Sequence, residues 1–318
     1  MQQNINSPEL IDYAENGIGN YIRMNREAMG YSQSDLCDGI CSVSTLSLIE
    51  SGEKITDFWV VEALLERMKI EKTEYEFILD DNTCDIYEFR ETIKMNIQNK
   101  EYGQAEKNLA VYREKYGEED FHGQFLFFQK ASLERAKTNP DISKKKELFL
   151  NALTITAPNY KEIFERKGVM SNLELECIAE IIHCIEDLKE RELTYRGFYE
   201  YFQWNCIREG FFPPAYRIAM QYYAECLYGN EKYKDSIKIC DEALEELYGT
   251  SKVANRARIF ILRAKARERK GLKDEEEKQE CLRDYLTAYT VISFYEGEEE
   301  AKELKKYIKE KYGWQFID

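Results

Sequence analysis

The stretch ICSVSTLSLIESG, from Ile40 to Gly52, concentrates hydroxyl side chains between two amphipathic runs. Serine and threonine hydroxyls, together with the free N–H groups at a helix start, can bind phosphates and base edges of a duplex. The stretch contains no lysine or arginine, the residues that normally neutralise DNA phosphates. Its residue types therefore suit hydrogen bonding to a nucleic acid, without the cations that supply most of the affinity.

Short helices must position this stretch. The pattern predicts a first helix over Ile18–Met29 that ends at Gly30, as a C-terminal glycine should end it. Ser32 then opens a second helix, with Asp35 in the capping-box position. The hydroxyl-rich stretch supplies the third helix, and Phe58–Met68 supplies a fourth that covers the other three. This order predicts a helix-turn-helix bundle.

One spaced set of residues in the bundle carries a family resemblance: Gln33, Leu36, Ile40, Cys41, Ser44, Ser47, Ile49, Glu50, Ser51 and Gly52. This motif looks like the Xre/Cro-type helix-turn-helix, except that Gln33 and Glu50 are one residue closer than is usual. That contraction is similar to the Rgg/PlcR/PrgX family, peptide-responsive regulators of Gram-positive bacteria with a helix-turn-helix followed by tetratricopeptide-type repeats.

The resemblance implies a role for each motif position. Leu46 and Ile49 would be core residues, and Glu50 would fix the following turn. Leu48 stands where the family commonly has a polar residue that reads bases, and Val43 can offer only an apolar contact, for instance to a thymine methyl. The residues that would contact DNA phosphates, backbone and bases are Gln33, Ser42, Val43, Ser44, Thr45, Ser47 and Leu48.

Charge is the main argument against DNA binding. Residues 1–84 carry six basic and sixteen acidic side chains, a balance of −10, within a chain whose formal net charge is −15. The other interpretation is therefore a helix-turn-helix that has become a packing module or a protein contact. We keep this alternative open: a repeat-domain scaffold or adaptor that binds a protein partner and no longer reads DNA.

The rest of the chain predicts paired helices. The segments NKEYGQAEKNLAVYREKYG and GNEKYKDSIKICDEALEELYG share an aromatic residue, then a small one three positions on, as in half of a tetratricopeptide repeat. Strand signals are scarce, so the expected fold class is all-α: an N-terminal helix-turn-helix bundle and a tetratricopeptide-like α-solenoid. We predict a DNA-binding domain over 1–69, a linker over 70–85 and a repeat domain over 86–318.

The most aromatic segment, residues 195–223, suggests where the repeats bind a ligand. Concave faces of helical arrays bind extended peptides. Rings can hold peptide side chains, while amides and guanidinium groups hold the peptide backbone and carboxylates. More than half of these rings are expected to be core. The candidate peptide-binding residues are Tyr199, Trp204, Asn205, Arg208, Tyr216 and Gln221, with Asn255 and Arg256 as weaker candidates.

Several function classes are disfavoured. The sequence has two histidines and lacks the sequence motifs of hydrolases, metalloproteases and nucleotide-binding enzymes. We expect no enzyme, no cofactor and no metal, and the nine cysteines are expected to be free thiols because none forms a C-x-x-C pair. Without a signal peptide or an apolar span, a cytoplasmic protein is expected.

The sequence thus favours a transcriptional regulator with three kinds of partner. These are a double-stranded DNA operator, a short signalling peptide of the quorum-sensing type, and a second copy of the chain. The apolar residues between Leu282 and Tyr295 are the candidate dimer surface. The operator sequence, the identity of the peptide and the direction of regulation are not encoded in any recognisable motif.

Overall fold

A computed structural model describes most of the chain. The described residues are 17–54, 56–70, 81–162, 168–205, 213–245, 256–295 and 297–316. Throughout these ranges the regular structure is helical, with no strand, so the all-α prediction is confirmed. The chain divides into two compact units, one ending at Cys184 and the other beginning at Ile185. The predicted 70–85 linker falls largely outside the described residues, and the three-domain division stays a prediction.

The first unit begins with four short helices and continues with five longer ones. In chain order they are α1 (Gly17–Ala28), α2 (Gln33–Cys37), α3 (Val43–Glu50), α4 (Phe58–Arg67), α5 (Asp81–Gln98), α6 (Tyr102–Tyr116), α7 (Asp120–Arg135), α8 (Ile142–Thr156) and α9 (Asn172–His183). The first four form the predicted bundle. From α5 to α9 each helix packs on the next one in the chain, as short connections between helices require.

Local sequence signals set the ends of the bundle helices. Gly30 follows α1 with a φ of +70°, the left-handed conformation that glycine adopts without steric cost. Ser32 caps α2, and its hydroxyl and the Asp35 carboxylate form the reciprocal capping box that the sequence predicted. The apolar faces then meet in one core, in which Ile22, Leu36 and Leu46 are fully buried.

The second unit contains six helices within the described ranges. They are α10 (Leu188–Asn205), α11 (Pro214–Gly229), α12 (Tyr233–Glu245), α13 (Arg256–Lys270), α14 (Glu275–Tyr295) and α15 (Glu298–Tyr312). Consecutive helices again pack on one another, and α11 also contacts α13. Contact between alternate helices is what stacked helix pairs produce. The small residues of the repeat frame lie at the crossings, where Ser236 and Ala243 are buried.

Arg67, the last residue of α4, joins the bundle to the first repeat helices. Its guanidinium is almost fully buried and donates to both carboxylate oxygens of Glu174, at 2.8 and 3.3 Å. It also donates to the backbone oxygens of Leu36 and Asp38 in the bundle and of Thr156 at the end of α8. One side chain of α4 therefore satisfies acceptors from three other segments of the first unit.

The Glu174 carboxylate is held in its charged form by this arrangement. Burial by itself raises the pKa of Glu174, but the Arg67 charge, the hydrogen bonds from Arg67 and Thr156, and the backbone N–H of Ser171 outweigh it. The pKa therefore lies below its ordinary value. The result is a buried ion pair with every strong donor and acceptor engaged, the condition under which such a pair is tolerated in a protein interior.

Gly39 shows how closely the bundle approaches the repeats within this unit. Its φ is +75°, and a Cβ atom placed on it would lie 2.2 Å from the backbone oxygen of Thr156. A larger residue would be strained by its conformation and would also push the turn away from α8. The turn between α2 and α3 is thus fixed against the same Thr156 carbonyl that Arg67 binds.

We expect Arg67→Met to destabilise the chain by about 3–5 kcal/mol, because it leaves Glu174 charged and buried without its partner. Urea unfolding followed by circular dichroism measures the loss. The matched control is Arg23→Met, which breaks the exposed 3.0 Å pair with Glu27 and should cost less than about 1 kcal/mol. Equal, small losses for the two variants would contradict the structural role of Arg67.

Candidate functional site

The hydroxyl-rich helix α3 begins at a side-chain cap. Ser42 is the N-cap residue, and its Oγ accepts a hydrogen bond from the Thr45 N–H at 3.0 Å. The same hydroxyl lies 2.9 Å from the Ser44 hydroxyl and 2.9 Å from that of Thr45. Ser42 therefore fixes the start of the helix, while the N–H groups of Val43 and Ser44 have no partner within the helix. Such a helix start can bind a phosphate.

One face of α3 is exposed and carries no charge. Val43 and Leu48 are 45% and 42% exposed, and Ser44 and Ser47 lie beside them on the surface. The core positions of the same helix, Leu46 and Ile49, are buried. The structure thus presents the residues predicted to contact bases on one surface of the bundle. Apolar groups and hydroxyls make up that surface, which suits contacts with base edges and thymine methyl groups.

A buried polar network holds α3 against α1 and α2. Arg26 donates to the two carboxylate oxygens of Glu50, at 2.6 and 2.9 Å, and to the backbone oxygen of Tyr31 at 3.0 Å. The hydrogen bond with Glu50 is the main cause that raises the Arg26 pKa. Gln33 donates its amide to Glu50 at 2.8 Å. Gln33, one of the residues predicted to contact DNA, therefore has one amide hydrogen bonded to Glu50, and its contact with DNA stays a prediction.

Sequence reasoning missed Arg26. The available signal was its position on the buried stripe of α1, one turn after Ile22. A charged residue at such a position needs a partner of opposite charge, and Glu50, in the family-like motif, is that partner. The sequence predicted only that Glu50 fixes the following turn. In the structure its carboxylate also accepts hydrogen bonds from Arg26 on α1 and from Gln33 on α2.

In the second unit, the structure separates the predicted peptide-binding residues into core and surface. Tyr216 is 1% exposed and packs edge-on against Phe202, with ring centroids 5.2 Å apart. Gln221 is also buried and donates to Glu225 at 2.9 Å. The Tyr216 ring therefore belongs to the core, together with Tyr195, as the sequence predicts for more than half of the rings in this segment.

The end of α10 keeps an accessible aromatic and amide group. Trp204 is 50% exposed, and the half-buried Asn205 donates to the backbone oxygen of Tyr201 at 3.1 Å. Tyr199, further back on the helix, donates its hydroxyl to Glu242 at 2.7 Å, and burial followed by that carboxylate raises its pKa. Two other predicted residues, Arg208 and Asn255, lie outside the described residues.

Arg256 begins α13 and lines a cleft of about 480 Å³. Sequence reasoning did not single out this cleft, although its residues recur along α13 and α14 with helical spacing. The lining residues are Arg256, Phe260, Arg263, Arg267, Glu280, Arg283, Asp284, Thr287 and Val291. Guanidinium groups and apolar side chains therefore share its walls, a combination suited to an amphipathic anion.

Two further features of the described ranges bear on the class of protein. No group of three or more His, Cys, Asp or Glu side chains converges there in a way that could hold a metal ion. In the same ranges no helix combines the length and the apolar character needed to cross a bilayer.

His122 is enclosed by rings and stacks on Tyr116, with ring centroids 5.4 Å apart. Burial, followed by the Arg90 charge, lowers the pKa of His122.

A helix-turn-helix bundle followed by packed helical pairs defines the class of fold. The chain is similar to the structure of Bacillus thuringiensis PlcR in complex with the peptide PapR7 and DNA. That likeness covers 92% of this chain and 99% of the PlcR chain, with a TM-score of 0.52 and 16% sequence identity. It confirms, at the level of the fold, the resemblance that the sequence motif predicted.

Two other solved structures match less closely. The apo form of ComR from S. thermophilus has 18% identity and a TM-score of 0.49, covering 92% of this chain and 99% of the ComR chain. A PrgX variant has 12% identity and a TM-score of 0.31, covering 95% and 97% of the two chains. Neither adds weight to the fold assignment. No protein-family model matches the sequence, and no curated protein does.

We expect Glu50→Gln to destabilise the bundle by about 3 kcal/mol, because it removes the buried counter-charge of Arg26 and leaves only the exposed Glu27 carboxylate, 3.5 Å from the guanidinium. Hydrogen exchange of the backbone amides in α1 and α3 measures the loss locally. Glu53→Gln makes the same chemical change three residues later, on an exposed side chain, and should leave that protection unchanged. Unchanged protection in Glu50→Gln would show that the network does not hold α3.

Proposed function

We propose that this chain is a DNA-binding transcriptional regulator whose repeat helices bind a short signalling peptide that modulates DNA binding. The carrying observation is the capped, exposed face of α3, held in place by the Arg26–Glu50–Gln33 network. The fold shared with PlcR supports the proposal, since that structure contains both a peptide and DNA. The proposed operator contacts are the α3 start and the exposed Ser44, Ser47, Val43 and Leu48.

The Arg67 network supports a physical route from the repeats to the bundle. It ties α4 and the turn after α2 to α8 and α9 through a buried ion pair and three backbone acceptors. Elements connected in this way move together rather than independently, because separation would leave charges and carbonyl groups unsatisfied in the interior. We propose that a rearrangement of the repeat helices therefore repositions the bundle.

We also propose that the regulator acts as a homodimer. The acidic bundle has few cations with which to neutralise phosphates, so two half-sites engaged together would raise its affinity. Two residues of the predicted dimer surface, Leu282 and Tyr285, are buried in a core that includes α15, so they cannot contact a second chain. The exposed part is smaller and consists of Phe294 and Tyr295, which are 80% and 52% exposed. This pair is the proposed dimer contact.

A specific observation favours the adaptor as a second candidate. The exposed face of α3 contains no basic side chain, and Leu48 lies on the surface where a polar residue would read a base. An uncharged, partly apolar helix face of this kind would also suit a protein contact. The two candidates differ in a measurable way, because only the regulator selects a DNA sequence.

For the regulator, we expect selection of duplexes from a random pool at low salt to enrich an inverted repeat. Ser44→Glu should then weaken binding to the enriched duplex at least tenfold, because it places a carboxylate against the phosphates and base edges. Fluorescence anisotropy measures the affinity, and sedimentation of the complex measures the number of chains on each duplex.

The control is Thr154→Glu, which adds the same charge on an exposed position of α8, outside both α3 and the proposed dimer contact, and should change the affinity little. If no duplex is enriched, or if the two variants behave alike, the adaptor becomes the better proposal. A single chain on each duplex would contradict the homodimer and leave the DNA-reading role intact.

For the effector, we expect a pool of random synthetic heptapeptides to yield sequences that the full chain retains. Trp204→Ala should weaken the binding of the retained peptides, because an exposed ring beside the Asn205 amide can hold an extended ligand. The matched control is Leu193→Ala, an exposed apolar residue on the same helix. Calorimetry of peptide binding with and without the enriched duplex tests whether DNA changes the peptide affinity by the same factor as the peptide changes the DNA affinity. An equal effect of Trp204→Ala and Leu193→Ala would place the peptide elsewhere.

A further inference from the structure

A cavity of about 280 Å³ lies inside the first unit, between the bundle and the repeat helices. Helix α4 of the bundle forms one wall, and α5, α7 and α9 form the others. The volume is close to the lower limit of small-molecule sites in proteins, roughly 300 Å³. The cavity can therefore hold one small molecule, and its lining residues belong neither to α3 nor to the second unit.

Arg90, on α5, brings a buried cation to the wall of this cavity. Its guanidinium lies over the Trp59 ring, and its Nε and Nη2 atoms donate to the Tyr112 hydroxyl at 2.7 Å and to the Phe121 backbone oxygen at 3.1 Å. The side chain is only 7% exposed. Among the described residues no acceptor binds its Nη1 atom, and no carboxylate forms an ion pair with it. A buried guanidinium with an unused N–H donor favours an anion as its partner.

Gln129, on α7, is a second buried polar side chain that lines the cavity. It is 6% exposed, and in the described part of the chain its amide makes no hydrogen bond to the protein. By contrast, Gln124 on the same helix donates to the Ala152 backbone oxygen at 3.1 Å and to the Thr156 hydroxyl at 2.7 Å. A buried amide without a partner costs folding free energy. Gln129 is therefore suited to bind a ligand rather than to hold the helices together.

Aromatic rings form the apolar part of the wall. Trp59 from α4 and three phenylalanines from α7 line the cavity, namely Phe121, Phe125 and Phe128. Such rings hold an apolar or aromatic group by burying its surface and by ring-to-ring contacts. The ligand should therefore combine an apolar body with a polar head that fits Arg90 and Gln129.

The charges around the cavity narrow the polar head further. Three carboxylates on α4 and α9 also line it, those of Glu62, Glu66 and Glu176. The second lining cation, Lys94, is already paired with Glu91 at 2.7 Å. A ligand with negative charge alone would be repelled by these carboxylates over the short distances of a small cavity. A ligand that carries an ammonium group beside its carboxylate fits both signs of charge.

We propose that this cavity binds a free α-amino acid with an apolar side chain. Its carboxylate binds Arg90 and Gln129, its side chain packs against the rings, and its ammonium group faces the lining carboxylates. The assignment does not depend on the proposed contacts with DNA or with a signalling peptide. A ligand here contacts the bundle and the repeat helices at once, so its binding favours the arrangement in which the two are packed together.

Calorimetry of the full chain with the free apolar L-amino acids, taken one at a time, tests the proposal. We expect at least one of them to bind at millimolar concentration or below. For that amino acid, the C-terminal amide and the deaminated acid should each bind at least tenfold more weakly, because each lacks one of the two charged groups. If none of the amino acids binds, or if either analogue binds as tightly as the amino acid, the proposal is wrong.

The variant Gln129→Met separates a binding role from a structural one. It removes the amide and keeps the length of the side chain, and we expect the affinity for the amino acid to fall at least tenfold. The unliganded variant should unfold at the same temperature or higher, because the amide has no protein partner to lose. Gln98→Met makes the same change at an exposed position of α5 and should leave the affinity unchanged. An unaltered affinity in Gln129→Met, or a drop of several degrees in its unfolding temperature, would overturn the site.

Hydrogen exchange tests the location of the ligand. Since α4 forms one wall of the cavity, the bound amino acid should slow the exchange of the α4 backbone amides, and the effect should be lost in Gln129→Met at the same ligand concentration. Unchanged protection of α4 at saturating ligand would place the amino acid elsewhere and contradict the proposal.

Discussion

The arrangement of the first unit depends on one guanidinium group, that of Arg67. It lies where the end of α4, the turn after α2, the end of α8 and the start of α9 converge. Helix ends carry carbonyl groups without partners, and burying several of them together is costly unless a donor reaches all of them. A planar group with five N–H donors does so, and Glu174 neutralises the charge that comes with it. Lysine could not replace Arg67 here, because a single ammonium group cannot reach acceptors in these different directions.

The same solution recurs at two other places in the chain. Arg26 and Glu50 hold the recognition-type helix against its neighbours, and Arg263 with Asp284 joins α13 to α14. In each case the pair is buried or nearly so, and further hydrogen bonds engage the arginine or its carboxylate partner. Arg90 is held by an aromatic ring instead of a carboxylate. Its guanidinium carbon lies 3.6 Å from the centroid of the Trp59 ring, a position in which the cation is attracted to the ring face.

Charge distinguishes the exposed face of α3 from the cleft along α13. The exposed face of α3 is uncharged, so its proposed contacts with DNA depend on hydroxyls, backbone N–H groups and shape rather than on phosphate neutralisation. The cleft beside α13 is basic and partly apolar, which suits a small amphipathic anion.

Sequence alone determined the helical class, the starts of α2 and α3 and the inward-facing motif positions, because these depend on local periodicity and on local signals such as Ser32, Gly30 and Ser42. The small residues of the repeat frame, Ser236 among them, could likewise be placed at helix crossings in advance. What the tertiary structure decided is which polar residues meet. Glu174 lies 107 positions from Arg67, and no local pattern encodes such a pairing. The tertiary structure also decided that Tyr216 is buried while Trp204 is exposed. A helix rich in aromatic residues could bury more than one of its faces, and the packing of its neighbours selects which face is buried.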